Sequence, residues 1–384
     1  MINNQKGWKQ PFYILKQNEC AIMINHSKNY LQTNITTKLR FPNQMTKNYW
    51  AIEELSEKKL YAVPFIGVLM VVACAKPITK STLFKFLASK LHVQTEQLEN
   101  ALKSLISKNI IIPSEKQENY SPLFDNFLNW TKAGWEDAAN YHFFTWDAPF
   151  LDYTKEGEGH DIDRKKMIRY QNLQPDTQRY KEYDAPLKNI PLPSLNFPAP
   201  FDPAQGYTIS ERIQHLLAFA FGKKEEKPCH WIDDVPLIRR TSPSGGSRHP
   251  TEGYFLSIGL QDIHEGFYHI QTDPISLCLI SSDKHCLLEE FMREKDSDFP
   301  SLGAIVLTSV FERNMYRYRE PRTFRTIHMD VGHILATIEM LGQEFRIKTR
   351  IHLNFNEDAI LQQIGTSMLE EGVMAIVTLH EENC

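Results

Sequence analysis

The sequence predicts an α+β chain in two parts: a smaller α/β region at the N-terminus, then a mixed domain of one sheet and several helices. Three observations carry this. The 384 residues suit two or three units of roughly 100–200 residues each. Pro186, Pro191, Pro193, Pro198, Pro200 and Pro203 follow in quick succession, which excludes a helix there and favours an extended connection. Beyond them, amphipathic helical stripes alternate with short apolar runs of strand length. The predicted parts are residues 1–186, a Pro-rich linker over 187–204, and a domain over 205–384.

The elements follow in order. Phe12-Tyr13-Ile14-Leu15 and Ala21-Ile22-Met23-Ile24 read as short strands between polar turns. Leu83, Phe84 and Leu87 share one helical face, and Leu98, Leu102, Leu105 and Ile106 share another. Thr95 is the expected cap of the second helix, with Glu96 at its positive end. Ile110-Ile111-Ile112-Pro113 then reads as a strand. Helix, turn, helix, strand is the order of a winged-helix unit, which residues 78–113 resemble. The second helix carries Glu96 and Glu99 but no arginine, whereas a DNA-reading helix offers Arg, Asn or Gln to base edges. A structural role, or docking of a peptide or partner, fits it better than nucleic-acid binding.

Tyr141 to Trp146 form an aromatic cluster, expected to pack in a core; a substrate-facing wall is the other reading. Past the prolines, Thr208-Ile209-Ser210-Glu211 has capping-box form. Ile209, Ile213, Leu216, Leu217 and Ala220 continue one apolar face. Phe255-Leu256-Ser257-Ile258, Ala304-Ile305-Val306-Leu307 and Met374-Ala375-Ile376-Val377 read as strands. A helix from about Thr326 to Leu341 buries Val331, Ile334, Leu335 and Ile338 and stops at Gly342.

Composition narrows the function classes. With 42% apolar and 23% charged residues the chain is ordinary for a globular protein. Its net charge of −4 argues against a general phosphate-backbone binder. Cys20, Cys74, Cys229, Cys278, Cys286 and Cys384 form no C-x-x-C pair, so no zinc module is expected and reduced thiols are. The N-terminus lacks the apolar core of a signal peptide. The longest apolar run, Tyr61 to Ala75, is about 15 residues against the ~20 of a membrane helix, and Pro64 interrupts it. A buried strand or core helix in a cytoplasmic protein is expected.

The chemistry concentrates in Arg240-Thr241-Ser242-Pro243-Ser244-Gly245-Gly246-Ser247-Arg248-His249-Pro250-Thr251-Glu252. Two glycines let a backbone approach a flat ligand and expose its N–H groups. Serines add hydroxyl donors, and Arg239, Arg240 and Arg248 add positive charge to an acidic chain. Together they suit an anionic cofactor.

Residues 240–254 resemble the hallmark of SagB-type dehydrogenases in the nitroreductase-like superfamily. Gly266-Phe267-Tyr268-His269 is similar to that family's G-L/F-Y-H element. Arg322-Thr323-Phe324-Arg325, then Asp330-Val331-Gly332-His333, resembles its R-x-Y/F-R and D-x-G-H helix entry. The resemblance spans roughly residues 205–380 and implies a nitroreductase-like FMN-binding domain, an intertwined homodimer with FMN at its interface, and the Pro-Ser turn against the flavin. It implies oxidation of azoline rings in a ribosomally made peptide to thiazoles or oxazoles, alongside a cyclodehydratase. Ser242, Pro243, Ser244, Gly245 and Gly246 are its cofactor candidates, followed by Arg240 and Arg325. His333 is either a packed core histidine or catalytic; His249 either caps the flavin turn or bonds to backbone.

The match breaks at two places. Relatives grip the flavin phosphate with an early R-x-S-x-R element, whereas Thr208-Ile209-Ser210-Glu211-Arg212 keeps only Ser210 and Arg212. One charge-assisted contact is then replaced by a hydroxyl. Azoline-oxidising relatives also place a Lys-Tyr pair before R-x-Y/F-R, where this chain has Arg317-Tyr318. Arginine stays charged and is a poor base, but it can stabilise developing negative charge. Tyr318 is the candidate acid/base. The replacement leaves open an NAD(P)H-dependent reductase of a small molecule or of dehydroamino acids, or a non-catalytic scaffold.

Overall fold

Two compact units divide the chain, Met1–Phe144 and Thr145–Cys384. The computed structural model describes residues 29–42, 48–54, 59–116, 121–146, 151–154, 156–173, 180–183, 188–195, 206–228, 236–282, 288–293, 301–318 and 320–381. The strand-like runs at Phe12 and Ala21 lie outside the described residues, as do Cys20, Cys229, Cys286 and Cys384. Cys74 and Cys278 are buried free thiols.

The first unit runs β1 (Tyr30–Thr33), β2 (Thr37–Arg40), β3 (Trp50–Glu54), β4 (Lys59–Val63), α1 (Phe65–Ala73), β5 (Ile78–Thr79), α2 (Lys80–Lys90), α3 (Thr95–Ser107), β6 (Ile111–Pro113), α4 (Ser121–Lys132) and α5 (Glu136–Thr145). Its strands make two antiparallel sheets, β5-β1-β6 and β2-β3-β4. Pro64 divides the long apolar run, ending β4 and leading into α1, where its missing N–H leaves no helical bond unmade. Leu83, Leu87, Leu98, Leu102 and Leu105 share a core with Met70 and Ile111. Two details differ from expectation. Ile106 is exposed, because the Leu98–Leu102–Leu105 stripe already fills the contact. Thr95 is the first helical residue and Gln94 the cap, its backbone N–H donating to Gln97 Oε1 at 3.1 Å. The aromatic cluster splits: Phe143 packs edge-on against Phe127, while Trp146 is exposed.

The second unit runs α6 (Gly159–Leu173), β7 (Asn189–Pro191), α7 (Ile209–Phe221), β8 (Glu225–Lys227), β9 (Leu237–Arg239), β10 (Thr251–Ser257), β11 (Gly266–Thr272), β12 (Ile275–Ser281), α8 (Leu288–Phe291), β13 (Gly303–Val310), α9 (Phe311–Met315), α10 (Phe324–Glu344), β14 (Ile347–His352), α11 (Glu357–Ile364) and β15 (Glu371–Glu381). A seven-stranded antiparallel sheet has the order β14-β15-β13-β10-β11-β12-β7. The α+β class is thus the one the sequence predicts. The unit boundary precedes the Pro-rich stretch, and the described part of that stretch is no free linker. Asn189–Pro191 pairs with β12 at the sheet edge, a place that tolerates proline because one side needs no ladder bond. Pro186, Pro198, Pro200 and Pro203 lie outside the described residues.

Period-two alternation sorts the strands' side chains between two cores. Phe255, Tyr268, Ile305, Leu307 and Val377 face α7 and α10; Tyr254, Leu256, Phe267, Val306 and Ile376 face α8 and α11. Thr208 and Glu211 form the expected capping box, with Thr208 N–H donating to Glu211 Oε2 at 2.7 Å and Glu211 N–H to Thr208 Oγ1 at 3.2 Å. α10 does not stop at Gly342. That glycine is buried against Thr349 and the Ile347 carbonyl, so it serves close packing and the helix continues to Glu344.

Gly253 in β10 lies directly under the Phe221 ring of α7, where an added Cβ would come within 2.4 Å of the ring. Gly253→Ala is expected to lower unfolding free energy by about 1–3 kcal/mol through overpacking, read as a lower urea midpoint with unchanged m-value.

Candidate functional site

The Pro-Ser-Gly-Gly segment forms the turn between β9 and β10, and α10 pins it. Asp330 Oδ2 accepts from Ser244 Oγ at 2.8 Å, and Asp330 Oδ1 accepts from the Gly245 N–H at 3.1 Å. Ser244 Oγ accepts in turn from the His249 N–H at 2.8 Å. Gly246 holds φ 61°, a left-handed conformation glycine adopts freely. Burial raises the Asp330 carboxyl, against the pull of the bonds from Ser244 and Gly245.

The arginines of the motif mostly turn inward. Arg240 is buried and donates to the Thr251 carbonyl at 3.4 Å and Thr272 Oγ1 at 2.7 Å. Burial brings its guanidinium down to about 10. Arg248 donates from Nε to the Arg313 carbonyl at 2.9 Å and lies over the Tyr316 ring at 4.4 Å. Arg313, which the sequence reading did not single out, is the hub. Its Nη1 lies 2.5 Å from Glu252 Oε1 and donates to the His249 carbonyl at 2.8 Å. The other Glu252 oxygen meets His269 Nε2 at 2.9 Å. Burial would raise the Glu252 carboxyl, but Arg313 and His269 together hold it below the usual carboxylate range. So the final glutamate of the first motif pairs with the histidine of the second, and its serine bonds to the aspartate of the third. No local spacing in the sequence signals Arg313, since its partners come from remote strands.

Arg317 and Tyr318 stand on the turn. A Cβ built on Gly246 would lie 2.7 Å from Tyr318 Oη and 2.9 Å from Arg317 Cδ. One on Gly245 would lie 2.8 Å from Thr326 Cγ2 in α10. The predicted catalytic pair and the predicted cofactor turn therefore adjoin. Arg317 Nη2 also lies 3.6 Å from Asp163 Oδ2, a buried carboxylate of α6 that the sequence reading missed. Arg325 donates to Thr145 Oγ1 at 2.7 Å. His333 is not a core residue: its side chain is 45% exposed and lies 3.9 Å from Asp330, since the buried stripe of α10 runs through Ile327, Val331, Ile334 and Ile338. His249 takes the backbone-bonding reading, with Nε2 at 2.9 Å from the Ile238 carbonyl.

Ser210 and Arg212 stand apart from the turn. Arg212 Nη1 donates to the carbonyls of Phe345 at 3.2 Å and Arg346 at 3.1 Å, at the C-terminal end of α10. Asp330 is near the other end, about 22 Å along the axis at the helical rise. Behind the turn, Ser242 Oγ, Thr251 Oγ1 and Arg240 Nε are buried and have no partner, while Thr241, Pro243 and Gly246 are exposed. Orphaned donors beside an open glycine turn fit a site shaped for a polar ligand. Among the described residues no group of His, Cys, Asp or Glu is arranged to hold a metal, and no helix is long and apolar enough to cross a membrane.

No protein-family model matches the chain. It is 24% identical over 320 residues to the trifolitoxin-processing protein TfxB of Rhizobium leguminosarum bv. trifolii, covering 75% of this chain and 81% of that one. This relative supports the resemblance to SagB-type peptide-maturation dehydrogenases. Among solved structures, a protein of Anabaena variabilis described as a nitroreductase aligns at TM-score 0.44 and 23% identity, over 56% of this chain and 46% of that one. The match thus spans less than half of the Anabaena protein. The E. coli microcin synthetase McbBCD complex with truncated pro-MccB17 bound aligns at TM-score 0.38 and 16% identity, over 57% of this chain and 94% of that one.

Burial first, and the Arg240 charge next, hold the His249 imidazole down at about 3, against an ordinary value of 6.5. The folded state refuses a proton that the unfolded chain accepts. Stability from this group is complete above about pH 6.5 and is lost as pH falls toward 3. Between about pH 7 and 5 the loss is up to about 2 kcal/mol. His249→Asn, which tolerates the local φ of 47°, is expected to flatten that part of the urea-midpoint profile.

Proposed function

We propose that this chain is an FMN-dependent oxidoreductase that matures a ribosomally made peptide by dehydrogenating azoline rings to thiazole or oxazole. The observation that carries it is the convergence of Asp330, the Ser242–Gly246 turn and the Arg317–Tyr318 pair in one place. Similarity over 75% of the chain to a trifolitoxin-processing protein supports peptide maturation as the setting.

FMN, when bound, supplies the hydride acceptor. Ser242, Pro243, Ser244, Gly245 and Gly246 are the residues that would lie against it, with Arg240 bracing them from behind and Arg325 at the start of the neighbouring helix. Ser210 and Arg212 would hold its phosphate, helped by the N-terminus of α7. These two groups sit at opposite ends of α10, which supports a homodimer whose two chains each contribute one group to a shared site. Tyr318 would move the substrate proton at Oη. Arg317 stays charged and would stabilise negative charge as it develops.

In the first unit, β4 has a strand partner on one side only among the described residues. Beside it, Val63, Pro64, Ile66, Ala101 and Leu105 line a groove of about 460 Å³. This arrangement supports recruitment of the peptide as an added strand. The substrate would come from a cyclodehydratase acting with this protein in the cytoplasm.

Purified protein is expected to show the two visible absorption bands of bound flavin, to run as a dimer in light scattering, and to bleach with an azoline-bearing peptide. A colourless preparation that takes up no added FMN overturns the reading. Because Arg317 stands where a lysine is expected, a second reading retains the flavin and changes the chemistry; steady-state NAD(P)H oxidation without peptide turnover would select it.

A further inference from the structure

α6 precedes the motif-bearing region, yet one of its faces is given over to the segment that carries Arg317 and Tyr318. Asp163, Lys166, Met167 and Tyr170 are spaced three, four and seven apart, which places them in one stripe. Each meets the segment after α9. Asp163 pairs with Arg317, and Lys166 lies 3.9 Å from Glu320. Met167 packs with the buried Tyr316, whose ring meets Tyr170 at 6.4 Å. From the other side Arg248, next to the glycine turn, covers Tyr316. The segment is therefore held between α6 and the turn.

Within this stripe Asp163 is the buried charge. Its side chain is 5% exposed and that of Arg317 is 13% exposed. The same oxygen that faces Arg317 accepts from Tyr153 Oη at 2.7 Å, which fixes the carboxylate's direction. A long arginine side chain otherwise samples many rotamers, at an entropic cost when it is confined.

We propose that Asp163 is a positioning residue of this site, holding the Arg317 guanidinium beside the Gly245–Gly246 turn. This rests on the flavin reading above. It gives α6 a functional part and separates two roles: Arg317 supplies charge at the turn, and Asp163 decides where that charge stands.

The test is the midpoint potential of the bound flavin in the full chain. Arg317→Met is expected to lower it, because a nearby positive charge favours the electron-rich reduced form. Removing a negative charge would by itself raise the potential. Loss of positioning does the opposite, so Asp163→Asn is expected to lower the potential in the same direction as Arg317→Met. The downward shift should vanish when Arg317→Met is already present. Asp163→Glu should restore most of the wild-type value, and Tyr153→Phe, a milder change should Asp163→Asn fail to fold, should give a smaller downward shift. An upward shift, no shift, or a downward shift that persists without Arg317 overturns the proposal while leaving the flavin reading intact. A chain that binds no flavin overturns both.

Discussion

Arg313 and Glu252 form a buried ion pair on which the geometry of the turn depends. Glu252 lies in the central strand β10, and Arg313 in the short helix that follows β13. The pair spans two adjacent strands, and each partner reaches one step further, Glu252 to His269 of β11 and Arg313 to the His249 carbonyl. Both side chains are 1% exposed. Removing one member of such a pair strands a charge in a poorly solvated interior, at about 3–5 kcal/mol, although the intact pair adds little net stability over an apolar substitute. Its value lies in geometry. With both ends of the turn fixed, a carboxylate on α10 suffices to set the turn itself.

Buried polar groups continue outward from this pair. Glu371 accepts from Tyr254 at 2.7 Å and from Thr308 at 2.5 Å, and Lys181 lies 2.8 Å from its other oxygen. Charged and polar groups thus run beneath the strands at the end that carries the turn, and apolar layers fill both faces beyond it. A buried polar network is stabilising only when its members are satisfied. Satisfaction is incomplete here: Arg313 Nε and Nη2 and His269 Nδ1 are buried without a hydrogen-bond partner, as are Ser242 Oγ, Thr251 Oγ1 and Arg240 Nε behind the turn.

Much of the fold was legible because it rests on short-range regularities. The helical stripes at Leu98–Leu105 and Val331–Ile338, the capping box at Thr208, and the strands around Phe255, Ile305 and Ile376 each follow from a local period or a local hydrogen bond. The misreadings share one cause. Gly342 resembles a helix stop but packs against β14; Pro191 resembles a linker residue but borders a sheet; His333 resembles a core position but points outward. In each case a remote element decided the outcome.

For the site, the sequence alone determined which chemical groups are present and their order: a glycine turn, its serines, and an Arg-Tyr pair. These are properties of residue type and spacing. Only the tertiary structure decided which groups meet. It turned Arg240 inward, made Arg313 a hub, carried Ser210 and Arg212 to the far end of α10, and brought Asp163 to Arg317. The physical reason is that charge pairing and burial act through space. Between Asp163 and Arg317 the chain passes through most of a seven-stranded sheet, and no local period encodes that contact.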